Sequence, residues 1–364
     1  MSANENTPDA NINLIDDDLD LVMPEGGLYE SEFWSISRHE LLAGVAEELI
    51  KPKTAKEIRR IVKPLTDLGL PDSLSDLAGW ADKIKKRGPR DDDDEDTKEF
   101  LSDDRNKSRG VWHYVNLPLE AEGYSREEYP TLTRDNDVVQ MINECVRVLT
   151  GKSGDDEPRF SELNALRLLV HLVGDVHQPV HVGCGFIDED GEVPKLVRNP
   201  QTVVNKELNS DTGGNKLILP IGNSGYNLHS YWDSRLGGSN PDIHDPAADG
   251  EGDADFVDDA ELKRRFIGKL HRMIAQDPQP VAEGGKGEAD TVDLEEWAPE
   301  WATESLIAAR SAYQSLKITG PNEKNYDVEW EGREAYDLRC KPIAIDRLKV
   351  AAQNLAAMLD AIWK

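Results

Sequence analysis

The sequence predicts an all-α fold for a single domain over residues 34–364. Two observations carry this: apolar residues recur at helical spacing in six segments, and the stretches between them are polar, Gly-rich or Asp-rich. The first helix is expected over Glu40 to Ile50, where Leu41, Leu42, Val45, Ala46 and Leu49 share one side. Val138 to Leu149 and Ser161 to Val173 repeat the pattern, followed by Asp259 to Ile274, Ser305 to Leu316 and Ile343 to Ile362. The connectors Arg87 to Ser108 (with the acidic run Asp91 to Asp96), Cys184 to Asp211, Gly237 to Asp258 and Pro278 to Asp290 are expected to be long polar surface insertions. Residues 1–33 are acidic, show neither helical nor strand period, and read as a flexible leader or propeptide.

Composition narrows the function. The 42 Lys and Arg against 71 Asp and Glu leave a net charge of −29, which argues against a protein that coats nucleic acid by neutralising phosphates. It leaves catalysis on phosphates open, because bound cations can override the local sign of the surface. A solvated acidic surface, as in a salt-adapted protein, accounts for the excess by itself. No apolar run approaches a membrane span, even around Leu166 to Val173, and no secretory signal is visible before Trp34. Cys145, Cys184 and Cys340 show no metal-type pair spacing.

The chemistry concentrates in the histidines. In the stretch from His171 through Asp175 to His181, the first His and the Asp lie four apart, on one face of a helix. Pro179 ends that helix and returns His181 from a turn. Random placement yields on the order of 0.02 such patterns in a chain of this composition, so the spacing calls for an explanation. His229 and Asp233 repeat the four-residue spacing; alone, such a pair reads more readily as a helix-surface contact. Asp82 by itself could be a surface carboxylate and His113 a satisfied core histidine.

Taken in order, Trp34 to His39, Ala78 to Lys85, Trp112 to Asn116, His171 to His181 and Asn227 to Asp233 resemble the single-strand-specific zinc nucleases of the S1/P1 family, which share their fold with zinc-dependent phospholipase C. The resemblance covers Trp34 to about Leu236 by motif. It implies a first zinc on Asp82, His113, His171 and Asp175, and a second on His181, His229 and Asp233. A third, bridged through Asp175, would use His39 and the backbone of Trp34. It further implies water attacking phosphorus with Asp82 orienting it, Lys85 stabilising phosphate charge, and products bearing 5′-phosphates. Asn215, after two glycines, is either a turn residue or a polar group beside the phosphate. Tyr114 is either a core aromatic or a stacking platform for a base, and Asn116 stands where fungal members carry an Asp at the base edge.

Because 33 residues precede Trp34, and an amide nitrogen is a poorer donor than a free amine, the third site is expected to form fully only after cleavage between Phe33 and Trp34. The acidic run between Asp82 and His113 is expected to disfavour long polyanions if it borders the cleft. The function expected is hydrolysis of single-stranded DNA and RNA with 3′-nucleotidase activity, by a monomer that the resemblance places outside the cytoplasm, secreted or periplasmic. Two alternatives are a zinc-dependent phospholipase C and a non-catalytic zinc-binding protein. The short Trp34-to-His39 spacing, Asp at 233 and the Gly-Gly-Asn segment favour the nuclease.

Overall fold

Helix α8 (Glu162–His177) carries two of the expected ligands, and every residue from Leu163 to His177 is buried. A helix buried on all sides has no solvent face to offer, so it becomes the centre of a helical layer, and its polar side chains must find partners inside the protein. Ser161 starts it by accepting the Asn164 N–H, and it stops before Pro179, where the turn Pro179–His181 begins. Around it pack α1 (Ile36–Leu49), α7 (Val138–Leu149), α12 (Trp297–Ala312) and α13 (Arg333–Ile362). The computed structural model describes residues 36–153, 159–221, 226–236, 259–276 and 293–364. The expected leader, Trp34, and the whole of the connectors Gly237 to Asp258 and Pro278 to Asp290 lie outside them.

Thirteen α-helices occur among the described residues, so the chain is mainly helical as expected. The shorter ones are α2 (Pro52–Ile61), α3 (Lys63–Asp67), α4 (Leu74–Leu77), α5 (Trp80–Ile84), α6 (Glu95–Ser102), α9 (Pro200–Lys206) and α10 (Leu228–Ser230), and α11 spans Asp259–Gln276. The last helix begins ten residues before Ile343, with Pro342 inside it. Loss of one backbone bond at the proline is tolerated there because Tyr336 and Cys340, upstream, are buried against the rest of the protein.

Strands are also present. A parallel pair joins β1 (Leu117–Pro118) to β2 (Gly183–Cys184). The connector expected as an insertion after Cys184 forms the sheet β4-β3-β5, made of β3 (Phe186–Asp188), β4 (Lys195–Val197) and β5 (Asn209–Ser210). A four-stranded sheet orders β7-β6-β9-β8, from β6 (Leu217–Leu219), β7 (Tyr226–Asn227), β8 (Lys317–Asn322) and β9 (Asn325–Glu329). Seven of these strands have only two or three residues, too few for an alternating pattern to show, and the longer β8 and β9 are mostly polar with a turn between them, so the sequence reads as helix only.

The connector Arg87 to Ser108 also reaches the core. Asp94 caps α6 and pairs with the buried Arg167 of α8 at 2.8 Å, while Asp93 pairs with Arg87. Thr97 accepts from the Trp80 indole at 2.9 Å, and Phe100 meets Trp80 and Trp112 edge-on at 5.1 and 5.9 Å. Trp80 stands two residues before Asp82, and Trp112 directly precedes His113. Part of the acidic run is thus neutralised within the protein. Phe100→Ala should cost about 3–5 kcal/mol of stability. Denaturant unfolding reads this directly, and a loss below about 1 kcal/mol would mean that the aromatic cluster is not a packing unit.

Candidate metal centre

Four donors from three segments converge at the first cluster. His113 Nδ1 lies 2.9 Å from Asp175 Oδ2 and 3.1 Å from His171 Nε2, and His171 Nε2 lies 3.1 Å from the same carboxylate oxygen. Asp82 Oδ1 stands 3.7 Å from each of those two imidazole nitrogens. Zinc bonds of about 2.0–2.1 Å set tetrahedral donors about 3.3–3.4 Å apart, and the observed separations bracket that value. Asp82 Oδ1 is buried without a hydrogen-bond partner, as expected of an atom aimed at a cation. The donor set therefore fits zinc.

His39 stacks on His171 with ring centroids 3.9 Å apart, and its Nε2 lies 3.5 Å from Asp175 Oδ1. Both of its ring nitrogens are buried with no hydrogen-bond partner among the described residues. A Cβ on Gly174 would come within 2.5 Å of His39 Nδ1, so only glycine lets the two helices approach this closely. The expected partner, Trp34, lies outside the described residues.

The second cluster unites the Pro179–His181 turn with Leu228–Ser230 and the π-turn Tyr231–Arg235 that follows it. His229 Nε2 is 3.3 Å from Asp233 Oδ2, and His181 Nε2 is 3.6 Å from Asp233 Oδ1. Backbone carbonyls orient the imidazoles: Ala78 accepts from His171 Nδ1 (2.7 Å) and Gly213 from His229 Nδ1 (2.9 Å). Since a carbonyl only accepts, Nδ1 carries the proton and Nε2 turns its lone pair inward. Gly213 and Gly214 have φ of 63° and 83°, and a Cβ on Gly213 would collide with the Val180 carbonyl. Asp211 shapes this loop: its Oδ1 accepts from Gly214 N–H (2.9 Å) and the Tyr313 hydroxyl (3.2 Å).

Three carboxylates, Asp82, Asp175 and Asp233, are thus sunk among imidazoles. Burial opposes ionisation of Asp175 and Asp233, but the surrounding histidines outweigh it, holding Asp175 well below the usual range and Asp233 at about 2. Burial likewise opposes charge on His181 and His171; neighbouring carboxylates raise His181 to about 10 and His171 above its ordinary value. Burial pushes His113 down to about 4 and lowers His39 and His229. Adjacent imidazoles cannot all be charged, yet Asp175 and Asp233 remain ionised. Such a pocket favours added cations.

Lys85 places its ammonium 3.8 Å from Asp82 Oδ1, as the three-residue spacing predicted. Tyr114 is half-buried and so not a core aromatic, and Asn116 donates to Ser210 Oγ at 3.4 Å. Asn215 is exposed and donates to Thr212 O at 2.8 Å, a turn contact. Sequence reasoning missed Gly174, Gly213, Asp211 and Gln178, which act on the ligands through packing or hydrogen bonds. Gly174 and Gln178 carried a signal by falling inside the His171-to-His181 motif, and Asp211 and Gly213 by falling in the stretch that ends at Asn215. Cys145, Cys184 and Cys340 are buried and unbridged.

The fold and site define a mainly helical domain with clustered His/Asp groups able to hold metal ions. The family model described as S1/P1 Nuclease matches residues 34–364, and the chain belongs to that family. It is similar to three proteins of Arabidopsis thaliana. Endonuclease 5 is 24% identical over 212 residues, covering 56% of each chain. Endonuclease 2 is 23% identical over 226 residues, covering 61% of this chain and 62% of that protein. Endonuclease 1 is 24% identical over 218 residues, covering 56% and 53%. The chain thus spans between 53% and 62% of the length of these curated relatives. No described helix is long and apolar enough to cross a membrane.

Burial pushes the Asp211 carboxyl up to about 7, against the hydrogen bonds that favour its ionised form. An acid raised on folding contributes stability that is complete below its unfolded value, near 4, and is lost as pH rises through its folded value. Asp211→Asn mimics the neutral acid. The melting temperature of the wild type, relative to this variant, should fall between about pH 4 and pH 7. A difference that stays constant over that window would show that the carboxyl is not held neutral.

Proposed function

We propose that the protein is a zinc-dependent endonuclease that hydrolyses phosphodiester bonds of single-stranded DNA and RNA, leaves 5′-phosphates, and removes 3′-phosphate from nucleotides. The observation that carries this is the convergence of seven His and Asp side chains into two clusters, joined where Asp175 faces His181 at 3.1 Å. On this reading Asp82, His113, His171 and Asp175 hold one zinc, His181, His229 and Asp233 a second, and His39 with Asp175 and Trp34 a third. Zinc bound there supplies charge neutralisation on phosphoryl oxygens and a water acidic enough to ionise near neutral pH.

The chain's own groups do the rest. Asp82, buried beside the first cluster, orients the attacking water by accepting its hydrogen bond. Lys85, beside Asp82, sets a positive charge against the phosphoryl oxygens as negative charge develops there. The half-buried Tyr114 offers a ring face to a base, which suits any base, while Asn116 contacts a base edge. Asn215 contributes its carboxamide near the phosphate. Single-strand preference follows from that stacking, since the faces of a base within a duplex are covered by the base pairs above and below it. Action outside the cytoplasm as a monomer rests on the family resemblance.

Purified protein supplied with zinc should cut single-stranded DNA and RNA faster than duplex, release phosphate from a 3′-nucleotide, and lose all three activities to a strong chelator, with zinc restoring them. Lys85→Ala should lower kcat by about 10²–10³-fold with zinc content unchanged. A zinc-loaded protein that turns over none of these substrates would sink the reading.

A further inference from the structure

We infer that Gln178 is a positioning residue that locks the second cluster together, an inference that rests on the zinc-enzyme reading above. Gln178 is fully buried at the end of α8, between Asp175 and His181. Its oxygen lies 2.7 Å from Val180 N and its nitrogen 2.8 Å from Asp233 Oδ1. Chemistry dictates that orientation. The Val180 N–H can only donate, so the atom facing it must be the oxygen, and the amino group is left to donate to the carboxylate. One carboxamide therefore caps the turn that presents His181 and grips the Asp233 carboxylate, 55 residues further along the chain.

The consequence is directional. With Asp233 Oδ1 held by the amide, the side chain cannot rotate freely, and Oδ2 stays 3.3 Å from His229 Nε2. A hydrogen bond to an ionised acceptor in a dry pocket is stronger than a neutral one, and such support typically changes metal affinity by about 10–100-fold. The His181 imidazole faces the same carboxylate oxygen from 3.6 Å, and the Gln178 amide approaches it more closely, at 2.8 Å. Arg38, one residue from His39, donates to the backbone carbonyls of Trp232 and Leu236 in this turn and sets its positive charge near Asp233.

The test uses the zinc-loaded full chain. Zinc released per protein is measured against rising concentrations of a chelating competitor, for the wild type and for Gln178→Met, which keeps the side-chain length and removes both hydrogen bonds. One zinc per chain should leave the variant at a competitor concentration about 10–100-fold lower, with the release of the remaining zinc unchanged. A wild type that holds no zinc sinks the nuclease reading itself. A zinc-loaded wild type with an identical release curve for the variant overturns only this inference, as does weakening spread equally over all ions. If Gln178→Met does not fold, Gln178→Asn, one methylene too short to serve both partners, is read in the same way. Failure of both to fold would assign Gln178 to general stability and overturn the inference as well.

Discussion

Asp175 meets four imidazoles drawn from three separate stretches of chain, and the arrangement of the site depends on it. Its Oδ2 faces His113 and His171, and its Oδ1 faces His181 and His39 at 3.1 and 3.5 Å. A carboxylate buried this deeply would be prohibitively costly alone. Its presence requires positive charge or strong donors on both sides, so the two clusters cannot be understood as independent sites.

The helix that carries Asp175 is anchored with matching care. The His177 imidazole, two residues on, donates to Val173 O and accepts from Asn354. Ser305 donates to Val176 O at 2.6 Å, and the buried Arg347 reaches Ser305 and Glu304 at 2.8 and 3.0 Å. This network ties the end of α8 to α12 and α13, so the last turn of the helix, where an α-helix ordinarily frays, is held from two sides. His177 thus has a structural occupation, although it sits within the motif that supplies three of the candidate ligands. Precise donor placement needs support of this kind, because a metal cluster tolerates little error in its ligand positions.

The overall acidity and the proposed polyanionic substrate are reconciled locally. Asp93 and Asp94 spend their charge on Arg87 and Arg167, and the carboxylates of the site face imidazoles, with Lys85 beside Asp82. The field at a site is set by groups within about a Debye length, not by the net charge of the chain. On the proposed reading, bound cations complete that reversal of sign.

The sequence by itself determined the mainly helical class and singled out the His and Asp residues that the fold brings together. His171 with Asp175, and His229 with Asp233, are pairs four residues apart, and helical geometry alone puts such residues on one face. Pro179 likewise announced the end of α8 and the turn that returns His181. The tertiary structure alone decided that the Ala78 and Gly213 carbonyls orient His171 and His229, that Asp211 shapes the glycine loop, and that Gln178 joins Asp233 to the 179–181 turn. It also decided that the acidic connector enters the core through Phe100, and that short strands from distant parts of the chain pair into sheets. These are contacts between distant segments, several of them made by backbone atoms. Any residue type supplies a carbonyl, so no pattern of side chains along the chain can reveal which one will be used.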